Sequence, residues 1–238
     1  MRRTNLPAAR PNAAVTVDCV VFGVDMAAMP EECLKVLLVE RANDPFKGRL
    51  ALPGGFVEEG EGLADAALRE LREATGLGDV YLEQLYTFGD PGRDPRGRVV
   101  SVAYYALTSA PAHVVKAGSD AARAHWSIPP AAGRLAFDHA RILEVALERL
   151  RGKIRYAPVG FRLLSDKFSF GDLQRLYEEI LGRPIDKRNF ARRIMGLGLV
   201  TYAGVSAGRE GHRRGTTLYR FNEHAYRRAQ RDGLDRLA

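Results

Sequence analysis

The chain has 238 residues, 46% hydrophobic and 27% charged, a composition typical of a globular protein with one large or two modest domains. No apolar run is long enough to span a membrane, and two cysteines without metal or disulfide spacing exclude a disulfide-stapled secreted domain. The formal net charge of +7 is concentrated in the second half of the chain, which points to a polyanionic partner.

After a basic tail over residues 1–12, the first half alternates between strands and helices. Segments rich in β-branched and aliphatic residues predict six strands, in AVTVDCVVFGV, LKVLLVER, LALPGGFV, DVYLEQLYTFGD, RVVSVAYYALT and RAHWSIP. Apolar residues at helical spacing predict two helices, over residues 63–75 and in AFDHARILEVALERLRGK. Strands and helices mixed in this order predict one α/β sandwich.

The first predicted helix gathers carboxylates on one face. Apolar residues recur at every fourth position from Leu63 to Leu71, which predicts a core-facing stripe. Glu70 and Glu73 lie together on another face, where clustered carboxylates suit a hard cation such as Mg²⁺. Position 74 would complete the group, but it is an alanine. Without further context, two glutamates on a helix are more typical of a solvated face.

The spacing around this helix adds that context. The stretch GFVEEGEGLADAALRELREATGL resembles the Nudix box along its whole length, with one failure at Ala74. The resemblance implies the Nudix fold, metal roles for Glu70 and Glu73, an orienting salt bridge for Arg69 and a supporting role for Glu61. Because alanine donates no oxygen, we expect weak Mg²⁺ binding and poor turnover, unless another acidic residue takes the missing place: Glu58, Glu59 or Asp120.

A loop rich in Gly, Pro and Arg precedes the fifth predicted strand. Its arginines suit bidentate recognition of phosphate, although composition alone favours an exposed turn with solvated charges. The loop resembles the Asp-Pro-Arg loop of Nudix proteins that handle ADP-ribose and related NAD metabolites. That resemblance implies an effector site formed by Arg41, Gly54, Gly55, Arg93, Arg96 and Arg98. We expect His139 to be structural, and His125 and Trp126 to lie in the core or between domains.

The chain changes character at residues 154–164, where Pro and Gly punctuate the sequence. Residues 1–150 contain 17 Lys and Arg against 20 Asp and Glu, whereas residues 151–238 contain 19 against 9. We therefore predict a domain boundary here. An asymmetry of this size favours a nucleic acid partner for the second half, although a merely soluble basic surface stays possible until the charges share a face.

The basic half predicts a winged helix-turn-helix. A helix over about residues 170–181, a short turn and a helix over about 187–196 are followed by two strands and a loop bearing further basic residues. In the second helix Asp186 is a good N-cap, Phe190 and Ile194 face one way, and the basic side chains face the other. We predict DNA contacts from Lys187, Arg188, Asn189, Arg192, Arg193, Arg213 and Arg214.

Both halves together resemble the Nudix-related transcriptional regulators of NAD metabolism (NrtR) over nearly the whole chain. The implied fold is a Nudix mixed-sheet α/β/α sandwich (residues 13–153) followed by a winged helix-turn-helix domain (154–238). The implied function is a cytoplasmic, homodimeric repressor of NAD biosynthesis or salvage genes. It would bind a palindromic operator in double-stranded DNA without a cofactor and respond to ADP-ribose or a related metabolite.

The alternative is an enzyme, a Mg²⁺-dependent pyrophosphatase acting on ADP-ribose or a nucleoside diphosphate, whose extra domain only assists. Ala74 argues against efficient catalysis, because metal stabilisation of charge is worth several kcal/mol in such reactions. This alternative does not explain the basic face of the helix over about residues 187–196. A slow hydrolase that also regulates remains compatible with the sequence.

Overall fold

A computed structural model describes residues 12–28, 32–76, 80–109, 121–129, 135–206 and 215–231. Among these residues no helix is both long and apolar enough to cross a membrane. The predicted wing residues Arg213 and Arg214, most of the N-terminal tail and the alternative metal ligand Asp120 lie outside the described residues.

A mixed seven-stranded sheet forms the first half, with its longest strand near the middle. Strand β1 runs parallel to β6 from the pair Ala14 and Val99 to the pair Phe22 and Leu107. It also pairs antiparallel with β2 and β4, and β7 pairs with β2. The strands are β1 (Ala14–Val24), β2 (Leu34–Arg41), β3 (Leu50–Ala51), β4 (Gly54–Phe56), β5 (Tyr81–Phe88), β6 (Val99–Leu107) and β7 (Ala121–Ser127).

The two faces of this sheet follow from the alternation of side chains along β1. Val17 and Val21 face α1 (Leu63–Thr75) in one apolar cluster. Val20 and Phe22 face α2 (His139–Lys153) in the other. The α/β/α sandwich predicted from the sequence is therefore present.

Three local expectations need correction. Leu63 is 37% exposed, because it is the first residue of α1 and projects beyond the sheet, and the buried stripe consists of Ala66, Ala67 and Leu71. The predicted strand LALPGGFV is two short strands, β3 and β4, which pair with different neighbours. Trp126 packs on the α1 side of the sheet, but His125, its neighbour on the opposite face, is exposed.

A buried 3₁₀ helix (Pro158–Leu163) joins the two halves. Ile154 before it and Phe161 within it belong to the same apolar cluster as β1 and α2, and this cluster continues into the second half. Two guanidiniums also cross the junction: Arg151 donates to the carbonyl of Ile180, and Arg175 to the carbonyl of Met26. The halves thus share one continuous core.

The second half is a winged helix-turn-helix, as predicted. Its helices are α3 (Phe170–Leu181), α4 (Lys187–Gly196) and α5 (Glu223–Arg231), and its strands are β8 (Phe168–Ser169), β9 (Val200–Val205) and β10 (Thr217–Phe221). A reciprocal capping box between Ser169 and Asp172 starts α3, and Gly182 in a left-handed conformation ends it. The sequence did not predict α5, in which three arginines and three other polar residues leave only a short apolar pattern.

Candidate functional site

A cavity of about 550 Å³ opens beside the sheet where α1, α2 and the loop over residues 89–98 converge. Because these elements come from distant parts of the chain, the cavity exists only in the folded state. Its lining combines carboxylates, guanidiniums and phenyl rings: Glu58, Glu70, Glu73, Arg41, Arg69, Arg93, Arg96, Phe56 and Phe137.

One wall of the cavity is an ion cluster centred on Arg69 of α1. Its guanidinium donates to the two carboxylate oxygens of Glu61 at 2.9 and 3.0 Å and to Glu70 at 2.8 Å, and it lies 3.8 Å from Glu73. Hydrogen bonding from Arg69 lowers the pKa of Glu61. The ion pair that the sequence implied for Arg69 is present, and it neutralises much of the negative charge of the helix.

The residues present do not fit a resident metal ion. Mg²⁺ in a protein prefers several oxygen ligands in octahedral geometry. The carboxylate of Glu70 is bonded to Arg69, and position 74 contributes no oxygen. Among the described residues, no group of three or more His, Cys, Asp or Glu side chains is arranged to hold a metal. We therefore derive no chemical step through a metal.

Two glycines bring β4 close to its neighbours. A Cβ on Gly54 would lie 2.3 Å from the carbonyl oxygen of Val17, and one on Gly55 would lie 2.1 Å from Oε1 of Glu70. Both glycines line the cavity. At Gly54 the backbone of β1 leaves no room for a side chain, whereas at Gly55 a side chain would displace the carboxylate of Glu70.

The opposite wall is built on Arg96. The buried carboxylate of Asp94 accepts from Nε and Nη2 of Arg96 at 3.0 and 2.7 Å, and these hydrogen bonds lower the pKa of Asp94. The guanidinium held in this way lies 5.2 Å from the ring centre of Phe56 and 5.7 Å from that of Phe137. Both distances are within the range of cation–π attraction.

Phe137 is the most crowded of the aromatic residues in the lining. Its backbone has a φ of 51°, which is uncommon for a residue other than glycine and is found preferentially at ligand sites. Arg41 lies over its ring at 4.8 Å, and the ring of Phe46 meets it edge-on at 4.9 Å. Aromatic rings and guanidiniums therefore lie close together at this end of the cavity.

A buried charge network forms part of the cavity lining and continues to the start of α2. Arg93, whose side chain is only 4% exposed, donates to both oxygens of Asp138 at 3.0 and 2.7 Å and to Asp18 at 3.2 Å. Asp18 also accepts from the Ser101 hydroxyl at 2.5 Å. Burial acts to raise the pKa of Asp18, but His139, Ser101 and Arg93 together lower it to about 2.

His139 has a structural place in this network, as expected. Its Nδ1 accepts a hydrogen bond from the backbone N–H of Leu52 at 2.9 Å, which assigns the imidazole proton to Nε2. Nε2 then points at Asp18, 3.3 Å away. The imidazole thus ties the start of α2 to β1 and to the loop before β4.

The predicted effector residues occupy different positions. Arg41, Gly54, Gly55, Arg93 and Arg96 line the cavity. Arg98 lies outside its described lining, because its guanidinium turns back to donate to the carbonyl of Gly89 at 2.5 Å. Arg93 is in the lining, but two carboxylates already hold its guanidinium.

Sequence reasoning missed the aromatic residues and the buried acids in the lining, Phe56, Phe137, Asp18 and Asp94, and it also missed Asp138, a half-buried partner of Arg93 outside the lining. Asp18 carried a usable signal, since it is an isolated charge inside the apolar run of β1. Asp138 and Phe137 lie in the segment FDHARI, of which only His139 was singled out.

A second candidate site is the exposed face of α4. Asp186 caps the helix by accepting from the N–H of Asn189 at 2.7 Å, and Phe190 and Ile194 are buried, as predicted. The described residues predicted to contact DNA are all exposed: Lys187, Arg188, Asn189, Arg192 and Arg193. Arg192 donates to the side-chain oxygen of Asn189. Among the described residues, none of these cations has a carboxylate partner within salt-bridge distance.

Comparison with known proteins gives a match in each half. Residues 13–145 match the NUDIX domain, and residues 160–221 match the NrtR DNA-binding winged helix domain. The chain is 38% identical to the ADPR responsive transcriptional repressor NtrR of Acinetobacter baylyi, covering 89% of this chain and 83% of that protein. It is also 43% identical over 110 residues to the ADP-ribose pyrophosphatase of Methanocaldococcus jannaschii, covering 46% of this chain and 64% of the other.

A solved relative extends these matches to three dimensions. Shewanella oneidensis NrtR in complex with a 27mer DNA is 36% identical and superposes with a TM-score of 0.74, covering 90% of this chain and 95% of that one. The NUDIX domain of the same protein in complex with ADP ribose is 38% identical with a TM-score of 0.53, covering 61% of this chain and 94% of that one.

Proposed function

Because the chain belongs to the NrtR family of Nudix-related transcriptional regulators, we propose that it is a repressor of genes for NAD biosynthesis or salvage. It acts in the cytoplasm as a homodimer and binds a palindromic operator. ADP-ribose or a closely related metabolite occupies the cavity and weakens DNA binding. The support comes from three sources: the face of α4, the chemistry of the cavity, and relatives described as a repressor responsive to ADPR and as complexes with DNA and ADP ribose.

The observation that carries the DNA-binding part is the exposed face of α4. Its cations have no carboxylate partner among the described residues, whereas Phe190 and Ile194 fix the opposite face in the core. A helix held in this way presents guanidiniums to the major groove and the phosphates without rearrangement. Arg213 and Arg214 would extend the contact from the wing.

The homodimer follows from the geometry of such recognition. One chain carries one recognition helix, and a two-fold axis relating two chains places two helices about one turn of duplex apart. The operator then has the same symmetry as the protein, and the spacing of its half-sites depends on the dimer interface.

The cavity supports a ligand that contains both phosphates and a planar base. Its volume of about 550 Å³ is within the range of small-molecule sites. Arg41 and Arg96 offer guanidiniums for a diphosphate, and the phenyl rings of Phe56 and Phe137 in the lining offer apolar faces for a base. Arg98 contributes from outside the described lining, because its bond to the carbonyl of Gly89 holds the loop that also carries Arg96.

We further propose that the cavity binds its ligand without efficient cleavage. Arg69 forms ion pairs with Glu70 and Glu73 of α1, and Ala74 contributes no oxygen to the donor set. The likeness to a pyrophosphatase over 110 residues makes slow hydrolysis the second candidate activity. Release of AMP from ADP-ribose in the presence of Mg²⁺ distinguishes the two: a regulator completes only a few turnovers during an assay in which an enzyme consumes the substrate.

The decisive experiment measures DNA affinity with and without ADP-ribose. Fluorescence anisotropy on DNA upstream of the neighbouring genes should give specific binding, and saturating ADP-ribose should weaken it by about 10- to 100-fold, a common size for allosteric coupling. AMP is the matched control, because it has the base and one phosphate but lacks the diphosphate and the second ribose. Equal affinity for these sequences and for random DNA, together with rapid AMP release, would show that the protein is a hydrolase rather than a DNA-binding regulator.

A further inference from the structure

The buried charge network joins the cavity to α2 through one carboxylate. Asp138 is the N-cap residue of α2, yet its side chain makes no capping hydrogen bond. Both of its oxygens accept from Arg93 of the loop over residues 89–98. Aspartate at an N-cap ordinarily accepts from the first turn of its helix. Here that carboxylate is used instead to hold the helix to the cavity loop.

The same helix reaches the DNA-binding half at its other end. Arg151, in the last turn of α2, donates to the carbonyl of Ile180 in α3 at 3.0 Å. Ile154, directly after α2, is fully buried in the core shared by both halves. The shared core is close-packed, and a helix is stiff along its axis. A displacement at the start of α2 would therefore also move α3.

The loop contributes to the cavity at two points that an anionic ligand would contact. Arg93 and Arg96 both line it. Arg93 also stands between a carboxylate of the sheet, Asp18 at 3.2 Å, and a carboxylate of α2, Asp138 at 2.7 Å. A phosphate arriving beside Arg93 changes how its charge is shared between these two anchors.

We propose that Asp138 is the residue that couples occupancy of the cavity to the winged helix, through its ion pair with Arg93; this rests on the proposed function. Ligand phosphates draw the loop over residues 89–98 inward, Arg93 carries Asp138 with it, and α2 transmits the shift to α3. Asp138 is a positioning residue in this account. It acts on the response to the ligand rather than on the affinity for ligand or DNA.

The test compares Asp138→Asn with a matched variant, Asp90→Asn. Asp90 belongs to the same loop and pairs with Arg141 of the same helix at 2.8 Å, but this pair is largely exposed. Three quantities are measured for each protein: affinity for ADP-ribose, affinity for DNA, and the change in DNA affinity caused by ADP-ribose. We expect Asp138→Asn to keep both affinities within about 3-fold while its response falls below about 3-fold, and Asp90→Asn to keep the full response.

Two results overturn the proposal: an Asp138→Asn protein that responds as fully as the wild type, or one that loses ADP-ribose binding, which would make Asp138 part of the ligand site. Failure of the proposed function looks different, since the wild type itself then shows no response. Hydrogen exchange on the wild type covers the case in which the variant does not fold. Addition of ADP-ribose should change exchange in the first turns of α2, and unchanged exchange there contradicts coupling through Asp138.

Discussion

Guanidinium groups have opposite surroundings in the cavity and on α4. In the cavity, Arg69, Arg93 and Arg96 are each held by at least one carboxylate. On α4, Arg188 and Arg193 project from the surface, with no carboxylate partner among the described residues. The same side chain therefore orients a small site in one half and supplies uncompensated charge in the other.

The difference corresponds to the two ligands. A small anion is recognised by groups fixed in position before it arrives, and ion pairs fix them. A duplex carries a dense, continuous negative charge, and each cation that replaces a counterion contributes to binding. We therefore expect that replacing the exposed cations of α4 alters DNA affinity without altering stability, whereas changes in the cavity network alter stability as well.

The largest effect is expected on α4. Replacing both Arg188 and Arg192 by Ala should weaken operator binding by about 100-fold or more, because each contact of this kind is worth about 1–3 kcal/mol. The number of counterions released on binding, given by the slope of log affinity against log salt concentration, should fall by about two. The melting temperature and ADP-ribose affinity should be unchanged, since both side chains are exposed. Anisotropy titrations at several salt concentrations measure the DNA affinity and its salt dependence, and thermal unfolding measures the melting temperature.

The control for this pair removes the same charge elsewhere. Arg72 and Arg155 are exposed and lie outside residues 160–221, which match the winged helix domain, so the double change to Ala should alter DNA affinity by no more than a few-fold. Equal losses in the two double variants would mean that overall charge, rather than the face of α4, governs binding.

Features determined by neighbouring residues were accessible from sequence. The separation of Phe190 and Ile194 from the basic side chains of α4 follows from helical periodicity, and Asp186 caps the helix because of its position. The strands, α1, α2, α3 and the wing strands follow from similar local patterns. The residues of the cavity could be predicted only because the sequence resembles that of a known family.

The features that could not be predicted from the sequence depend on contacts between residues far apart in the chain. Arg93 meets Asp138 across 45 positions and Asp18 across 75, and the contact with Asp18 requires the parallel register of β1 with β6. No local periodicity encodes that register. For this reason Arg93 could be predicted as a cavity residue, but its carboxylate partners and their link to α2 could not.

The cavity network should reveal itself in the pH dependence of stability. Folding lowers the pKa of the buried Asp18 carboxyl from 3.8 to about 2, so the folded state binds fewer protons than the unfolded state between these values. The resulting stabilisation, about 2 kcal/mol, is fully present above about pH 5 and is lost as the pH falls towards 2. Urea unfolding of wild type and Asp18→Asn measures it: the difference in unfolding free energy should shrink by about this amount on acidification.

Glu59→Gln serves as the control, because Glu59 is exposed in the loop before α1. Its unfolding free energy should stay within about 0.5 kcal/mol of the wild type at each pH. A difference between wild type and Asp18→Asn that does not vary with pH would show that Asp18 stabilises the fold by packing rather than as a charge held by Arg93, Ser101 and His139.

The smallest expected effects, on stability and on DNA affinity, concern Asp186, the N-cap residue of α4. Asp186 caps the recognition helix, but it also places a negative charge beside a surface that meets phosphates. Asp186→Ala should lower the unfolding free energy by about 1 kcal/mol through loss of the cap, whereas Asp186→Asn should lower it by less, since asparagine caps equally well. Asp186→Asn should also bind DNA slightly more tightly than the wild type.

Ser169→Ala provides the comparison for capping alone. It removes the side-chain cap of α3, which should lower the unfolding free energy by a similar amount, about 1 kcal/mol, without a selective change in DNA affinity. If Asp186→Asn instead bound DNA more weakly than the wild type while remaining as stable, the carboxylate itself would be needed at the interface. The surface of α4 would then depend on a placed negative charge as the cavity does, and the contrast between the two regions would no longer hold at the start of the helix.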